Sequence, residues 1–258
     1  VVRRIEGLTT TALAALLAGD RPVAVLVPVG SVEPHGPHLG LSTDTIISDE
    51  VALRAAERLS TEGRVRALVG PAVPYGVTEV ARGFAGAVSV PAPTLTAFLR
   101  AVVEGYLGEG FAHVCFVNNH LEPAQDAAVR AAVAGLAPGR ASVACPLERR
   151  WGRTLSAEYK SGACHAGRYE TSLVLAAAPA LVDAACARAL PPLAVSLSRE
   201  IAAGKRTFLE MGMPDAYTGA PAEATEAEGE ALLDRLADMV VTVVSEALAT
   251  LRRQSRCK

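Results

Sequence analysis

No stretch of eighteen residues in this 258-residue chain is apolar without a charge, so a membrane-spanning helix is not expected. No long apolar segment follows the arginines of Val1-Val2-Arg3-Arg4-Ile5-Glu6, which speaks against a secretory signal. Basic residues are not in excess. The 25 Lys and Arg against 27 Asp and Glu leave a formal net charge of −2, without the basic footprint of a nucleic-acid binder. Cysteine is scarce: there are five, an odd number with no C-x-x-C spacing, which fits reduced thiols in a cytoplasmic protein. No repeat, low-complexity tract or linker interrupts the chain, so residues 1–258 are expected to form a single domain. Ser31 lacks a G-x-S-x-G context, and the glycines of 76–86 match neither phosphate-loop spacing.

Half of the chain is hydrophobic, enough for a full core. Apolar runs at 23–29, 65–69, 114–117 and 141–145 read as buried strands. Helical spacing marks 45–59, a segment from a Thr94 cap to 107, 124–136 after Pro123, and 170–178. Thr225-Glu226-Ala227-Glu228 reads as a capping box for a long final helix to 251. Residues 1–20 suggest a short amphipathic start, 70–93 an ordered excursive loop and 148–168 an irregular polar stretch, while 190–223 has no readable pattern. Strands alternating with helices predict an α/β fold with a largely parallel sheet covered on both faces.

The chemistry gathers at the strand ends. Ser31-Val32-Glu33-Pro34-His35-Gly36-Pro37-His38, then Thr43-Asp44-Thr45, follows the first apolar run; Asn118-Asn119-His120-Leu121-Glu122 follows the third. If those strands are parallel, both loops meet at one carboxyl edge. Glu33 and His35 are two apart, as are His120 and Glu122, so in extended backbone each pair projects to one side. Glu33, His35, Asp44, His120 and Glu122 are therefore candidate ligands for two adjacent divalent ions of the zinc or manganese type, with Asp44 able to bridge. Such a centre predicts metal-assisted hydrolysis by a bridging hydroxide, with His165 stabilising the tetrahedral species or protonating the leaving nitrogen. His38 reads as an orienting residue. Trp151 is a pocket candidate, and Glu170 is either a supporting acid or the favourable charge of a helix first turn. His113, on the approach to a strand, reads as structural, and a catalytic Cys164 is disfavoured by its adjacency to His165.

These residues resemble the creatininase (creatinine amidohydrolase) family. Val27 to Leu39 with Thr43-Asp44-Thr45 is similar to its opening signature. Val117-Asn118-Asn119-His120 is similar to its second motif, and His165-Ala166-Gly167-Arg168-Tyr169-Glu170-Thr171-Ser172 to its third. The resemblance implies a three-layer α/β/α sandwich, a two-metal centre of zinc with zinc or manganese, and hydrolysis of an amide C–N bond in a small cyclic or linear amide. It carries metal ligation onto Glu33, His35, Asp44, His120 and Glu122, and catalysis onto His165 with Glu122. It also implies a homo-oligomer, since many members are hexamers. Leu121 and Cys164 replace an aromatic and an acid of creatininase proper, and Arg168 is closer to relatives that act on peptides. A deformylase or peptidase of a biosynthetic pathway is thus the alternative, and a silent metal-binding protein a further one.

Overall fold

A computed structural model describes residues 3–256; Cys257 and the leading Val1 and Val2 lie outside the described residues. Its centre is a parallel sheet of β1 (Arg3–Arg4), β2 (Val23–Val29), β3 (Arg66–Val69), β4 (His113–Asn118) and β5 (Ala141–Ala144), in the order β1-β3-β2-β4-β5. The apolar runs form strands because both faces are covered. Ala24 and Leu26 of β2, with Cys115 and Val117 of β4, face one core, and Val23, Val25 and Val27, with Val114 and Phe116, face the other. The alternation is that of a strand buried on two sides.

Helices α2 (Thr43–Thr61), α7 (Arg168–Ala177) and α10 (Glu226–Arg256) build the first core, with Ile47, Val51, Leu173, Leu233 and Leu236 inward. On the other face α1 (Thr10–Leu17), α3 (Ala92–Gly108) and α4 (Pro123–Val133) supply Leu16, Leu95, Leu99, Val103 and Val129. The molecule is the expected three-layer α/β/α sandwich.

Local expectations differ in detail. Thr94 does not cap α3: the helix starts at Ala92 behind Pro91, and Thr94 N donates to Pro91 O at 2.9 Å. Pro93 suits a first turn because it has no N–H to satisfy. The capping box holds in one direction. Glu228 N donates to Thr225 Oγ1 at 3.2 Å, but Thr225 N donates to Ser172 Oγ, and the Glu228 carboxylate pairs with Arg168. The polar stretch 148–168 contains two short helices, α5 (Arg149–Gly152) and α6 (Ala157–Ser161). After α8 (Ala184–Ala189), the unreadable 190–223 carries α9 (Leu197–Ala202) and a small apolar cluster of Phe208, Met211, Met213 and Ala216 with Ala81. The edge strand β1 is too short to have a sequence pattern. Among the described residues no helix is long and apolar enough to cross a membrane.

Candidate metal centre

The strand order makes the site. From β2 the chain passes to β3 on one side, then returns to β4 on the other, so the carboxyl ends of β2 and β4 flank a topological switch point. Their register runs to Val29 against Asn118, which delivers the loops bearing Glu33, His35 and His120 side by side. Ser48 of α2 fixes the third contributor. Its hydroxyl donates to Val29 O at 2.8 Å and accepts from Asn119 N at 3.0 Å, tying the helix that carries Asp44 to both strand ends. Gly30 is required here, because a Cβ would lie 2.6 Å from Thr45 N. Gly36 turns the first loop at φ 65°, in the left-handed region that favours glycine.

Three buried histidines are oriented alike. His35 Nδ1 donates to Glu33 O at 3.1 Å, His120 Nε2 to Val77 O at 2.7 Å and His165 Nε2 to Pro34 O at 3.0 Å. A carbonyl only accepts, so each ring carries its proton on that side and, when neutral, turns a lone pair to the cluster. Asp44 lies between them, with Oδ1 3.2 Å from His35 Nε2 and Oδ2 3.0 Å from His120 Nδ1. Glu33 Oε1 is 3.4 Å from His120 Nδ1, 3.8 Å from His35 Nε2 and 3.7 Å from His165 Nδ1; its Oε2 accepts from Thr78. Glu170 Oε2 accepts from Ala166 N at 2.7 Å and stands 3.6 Å from His35 Nε2.

This donor set fits divalent cations. His35 Nε2 and Asp44 Oδ2 are buried without a hydrogen-bond partner. Three groups have ligand atoms within 4.8 Å of one another: Glu33/Asp44/His120, His35/Asp44/Glu170 and Glu33/His35/His165. The first two share Asp44, the residue expected to bridge. So much buried acid and imidazole, with lone pairs converging, is a ligand arrangement for cations.

The same crowding shifts the titrations. Burial opposes the charge on His35, but Asp44, Glu170 and Glu33 overcome it and lift the imidazolium to about 10. His120 is likewise raised, burial being outweighed by Glu33 and Asp44. Asp44 is driven down against its burial by His35 and His120. Glu170 is pushed up to about 8 by burial, and by Asp44 and Glu33 against the pull of His35. His165 falls to about 4 through burial and its neighbour His35.

Glu122 has a separate setting. Its oxygens accept from Glu79 N at 3.3 Å and Val80 N at 3.2 Å, and it belongs to none of the three ligand groups found among the described residues. Burial raises it to about 7. It lines a cavity of about 620 Å³ that also exposes Glu33, Asp44, His120, His165 and Glu170. His38 stands off the cluster, with Nε2 2.8 Å from Thr171 Oγ1. Trp151 packs against the main core beneath the Arg150 guanidinium, 4.4 Å from its ring, and is not among the cavity-lining residues. Cys164 lines the cavity as an inert thiol, pushed up to about 12 by burial. His113 is structural, held by Gly139 O and Ser142 Oγ at 2.9 Å each.

Three contributors were not singled out from the sequence. Thr78 lies in the 70–93 loop and orients Glu33. Ser48 sits on an otherwise ordinary helix, where its spacing from Asp44 put it on the inner face. Phe208, in 190–223, stacks on His165 with ring centroids 4.4 Å apart, while His35 lies at 4.4 Å from the same ring.

A family model described as "Creatininase: Creatinine amidohydrolase" matches residues 6–244. A mycofactocin precursor peptide peptidase of Mycolicibacterium smegmatis (strain ATCC 700084 / mc(2)155) is 35% identical over 211 residues, 80% of this chain and 78% of that protein. A creatinine amidohydrolase of Pseudomonas putida is 28% identical over 188 residues, 66% and 69% of the two chains. Two solved structures, "Creatininase Mn" and "E122Q mutant creatininase, Zn-Zn type", superpose with TM-scores of 0.73 and 0.72. Each is 22% identical, covering 95% of this chain and 98% of the other.

Proposed function

The chain belongs to the creatininase family, whose members hydrolyse amide C–N bonds, and from that premise we propose that it is a two-metal peptidase acting on a short biosynthetic precursor peptide. Glu33, Asp44 and His120 would hold one divalent cation, and His35, Asp44 and Glu170 the other. The observation that carries the reading is Asp44, shared between two ligand groups on the wall of a cavity of about 620 Å³. The all-N,O donor set suits zinc or manganese, the metals in the titles of the superposed structures. A peptide segment suits the cavity better than a single small cyclic amide, which would leave most of it unfilled. The similarity to a precursor peptide peptidase supports the same choice.

Bound there, the cations would supply Lewis acidity toward the scissile carbonyl and make water nucleophilic at neutral pH. Glu122 moves the proton. Held on two backbone amides and raised to about 7, it can take a proton from the attacking water and return it to the leaving nitrogen. His165, with Nε2–H spent on Pro34 O, turns an acceptor nitrogen inward; it can protonate a leaving group only after taking up a proton itself. Phe208 and His35 hold its ring in place. The four free thiols among the described residues suit a reducing, cytoplasmic compartment. A homo-oligomer, implied by the family, is read by light scattering.

Metal analysis tests the assignment. Wild-type protein should carry about two divalent ions per chain, Glu170→Gln about one, and Glu122→Gln about two with kcat for peptide cleavage lowered about 10²–10⁴-fold. Loss of metal in Glu122→Gln with retention in Glu170→Gln would restore Glu122 as a ligand and remove its role as proton carrier. A wild-type protein that takes up no metal would sink the whole reading.

A further inference from the structure

One side of the cavity carries a charge that the hydrolytic site does not use. Arg149 on α5, Arg153 just beyond it and Lys160 on α6 all line the opening, and all three are exposed. Among the described residues none has a carboxylate within ion-pair distance, although Arg54, Arg58, Arg150 and Arg168 are each paired. The nearby acids are already engaged. Glu148 and Glu246 pair with Arg150, and the Glu158 carboxylate accepts from Tyr169 N at 2.8 Å and Ala220 N at 2.7 Å. The two short helices are braced. Tyr159 Oη donates to Pro146 O at 2.8 Å, and Gly152 lies so close that a Cβ would meet Pro146 O at 3.0 Å and Tyr159 Cε1 at 3.1 Å. The cations therefore stand on a fixed platform. Leu197, Ile201 and Phe208 add an apolar wall to the same cavity, and Leu197 N donates to Gly162 O at the end of α6 at 2.9 Å.

We propose that Arg149, Arg153 and Lys160 form a carboxylate-binding subsite that selects a peptide with a negative charge beside the scissile amide, its apolar neighbour lying on Leu197, Ile201 and Phe208. This rests on the peptidase reading above and deepens it. An exposed cation contributes little alone. Three of one sign on a concave, partly apolar wall focus potential, and arginine forks match carboxylates in bidentate geometry. The carboxylate is either the peptide's C-terminus or an Asp or Glu side chain. The cationic side lies at the mouth and the metal ligands deeper in the same cavity, which sets the peptide's direction of entry: charge outward, amide inward.

The test uses metal-loaded protein and acetylated tetrapeptides in matched pairs, Glu against Gln at each position and free C-terminal acid against carboxamide. Wild type should favour one acidic member about tenfold or more in kcat/KM, mostly through KM, with the advantage shrinking in 0.5 M salt. The pair showing the preference identifies the source of the charge. In Arg149→Gln, Lys160→Gln and the triple Gln variant the acidic-to-neutral ratio should fall toward one; the single variants serve if the triple does not fold. No preference in wild type, or an unchanged ratio in every folded variant, overturns the subsite. If no peptide is cleaved, the peptidase reading fails, and calorimetric binding of the same pairs still decides the subsite: equal affinity for both members rejects it.

Discussion

At the residue scale the centre depends on which atom each side chain turns inward. His35, His120 and His165 each give one ring proton to a backbone carbonyl, and those carbonyls come from the loops that hold the acids. The spacing of Glu33 with His35 and the reach of Asp44 were legible because they lie within fourteen consecutive residues, a loop and the first turn of α2. Which of Glu122 and Glu170 stands within reach of His35 and Asp44 was not, since it depends on tertiary placement: Glu79 and Val80 amides hold Glu122, and α7 sets Glu170 against His35. His113 shows the same chemistry in a structural role. Burial depresses it to about 4, so between pH 6.5 and 4 the unfolded chain binds a proton that the folded one refuses. Stability from this group is full above pH 6.5 and is lost as pH falls through 4. Wild type should lose about 2 kcal/mol more than His113→Gln between pH 7 and pH 5 in denaturant titrations. Parallel curves for the two proteins would refute the assignment.

At the element scale the strands and most helices were readable, because continuous apolar runs and 3.6-residue spacing report burial directly. Helix starts were less so. Thr94 has the chemistry of a cap, but Pro91 already ends the extended segment and the chain turns earlier. The pairing of α7 with α10 was also hidden, and it has a sharp requirement. Gly229 of α10 passes so close to α7 that a Cβ would lie 1.8 Å from Ser172 O, backbone that cannot yield. Gly229→Ala should cost about 1–3 kcal/mol or more by overpacking. Because α7 carries Glu170, the proposed ligand of a second metal, the variant should also bind that metal less tightly. Gly105→Ala, on the exposed face of α3 with nothing within 4 Å, should instead stabilise by about 0.5–1 kcal/mol. Thermal melts of the two proteins side by side check both signs; a neutral Gly229→Ala would mean the helices can separate freely.

At the scale of the whole molecule, the centre joins the ends of β2 and β4 to α2 and α7, elements otherwise held by the hydrophobic layers. Metal removal should therefore loosen one edge of the sandwich and leave the rest intact. The apo cluster is partly self-neutralised, since His35 and His120 are raised toward their charged forms beside Glu33 and Asp44. Chelation should lower Tm by several degrees, as expected when a ligand bound only by the folded state is withdrawn. Amide exchange should rise around 31–45, 118–122 and 165–170 and stay slow in β2 and β4. Global unfolding on chelation would show that the two cores do not stand without the metals.

Taken alone, the sequence determined the layers and the chemical class. Apolar runs and helical periods depend only on which side chains leave water, and a loop with Glu33, His35 and Asp44 carries its donors wherever it folds. Tertiary structure decided the rest: the strand order that sets β2 beside β4, the amides that occupy Glu122, the helix that brings Glu170 to His35, and the passage of 190–223 over the cavity to lay Phe208 on His165. Those are contacts between residues some forty to a hundred and thirty positions apart, and no local pattern encodes them.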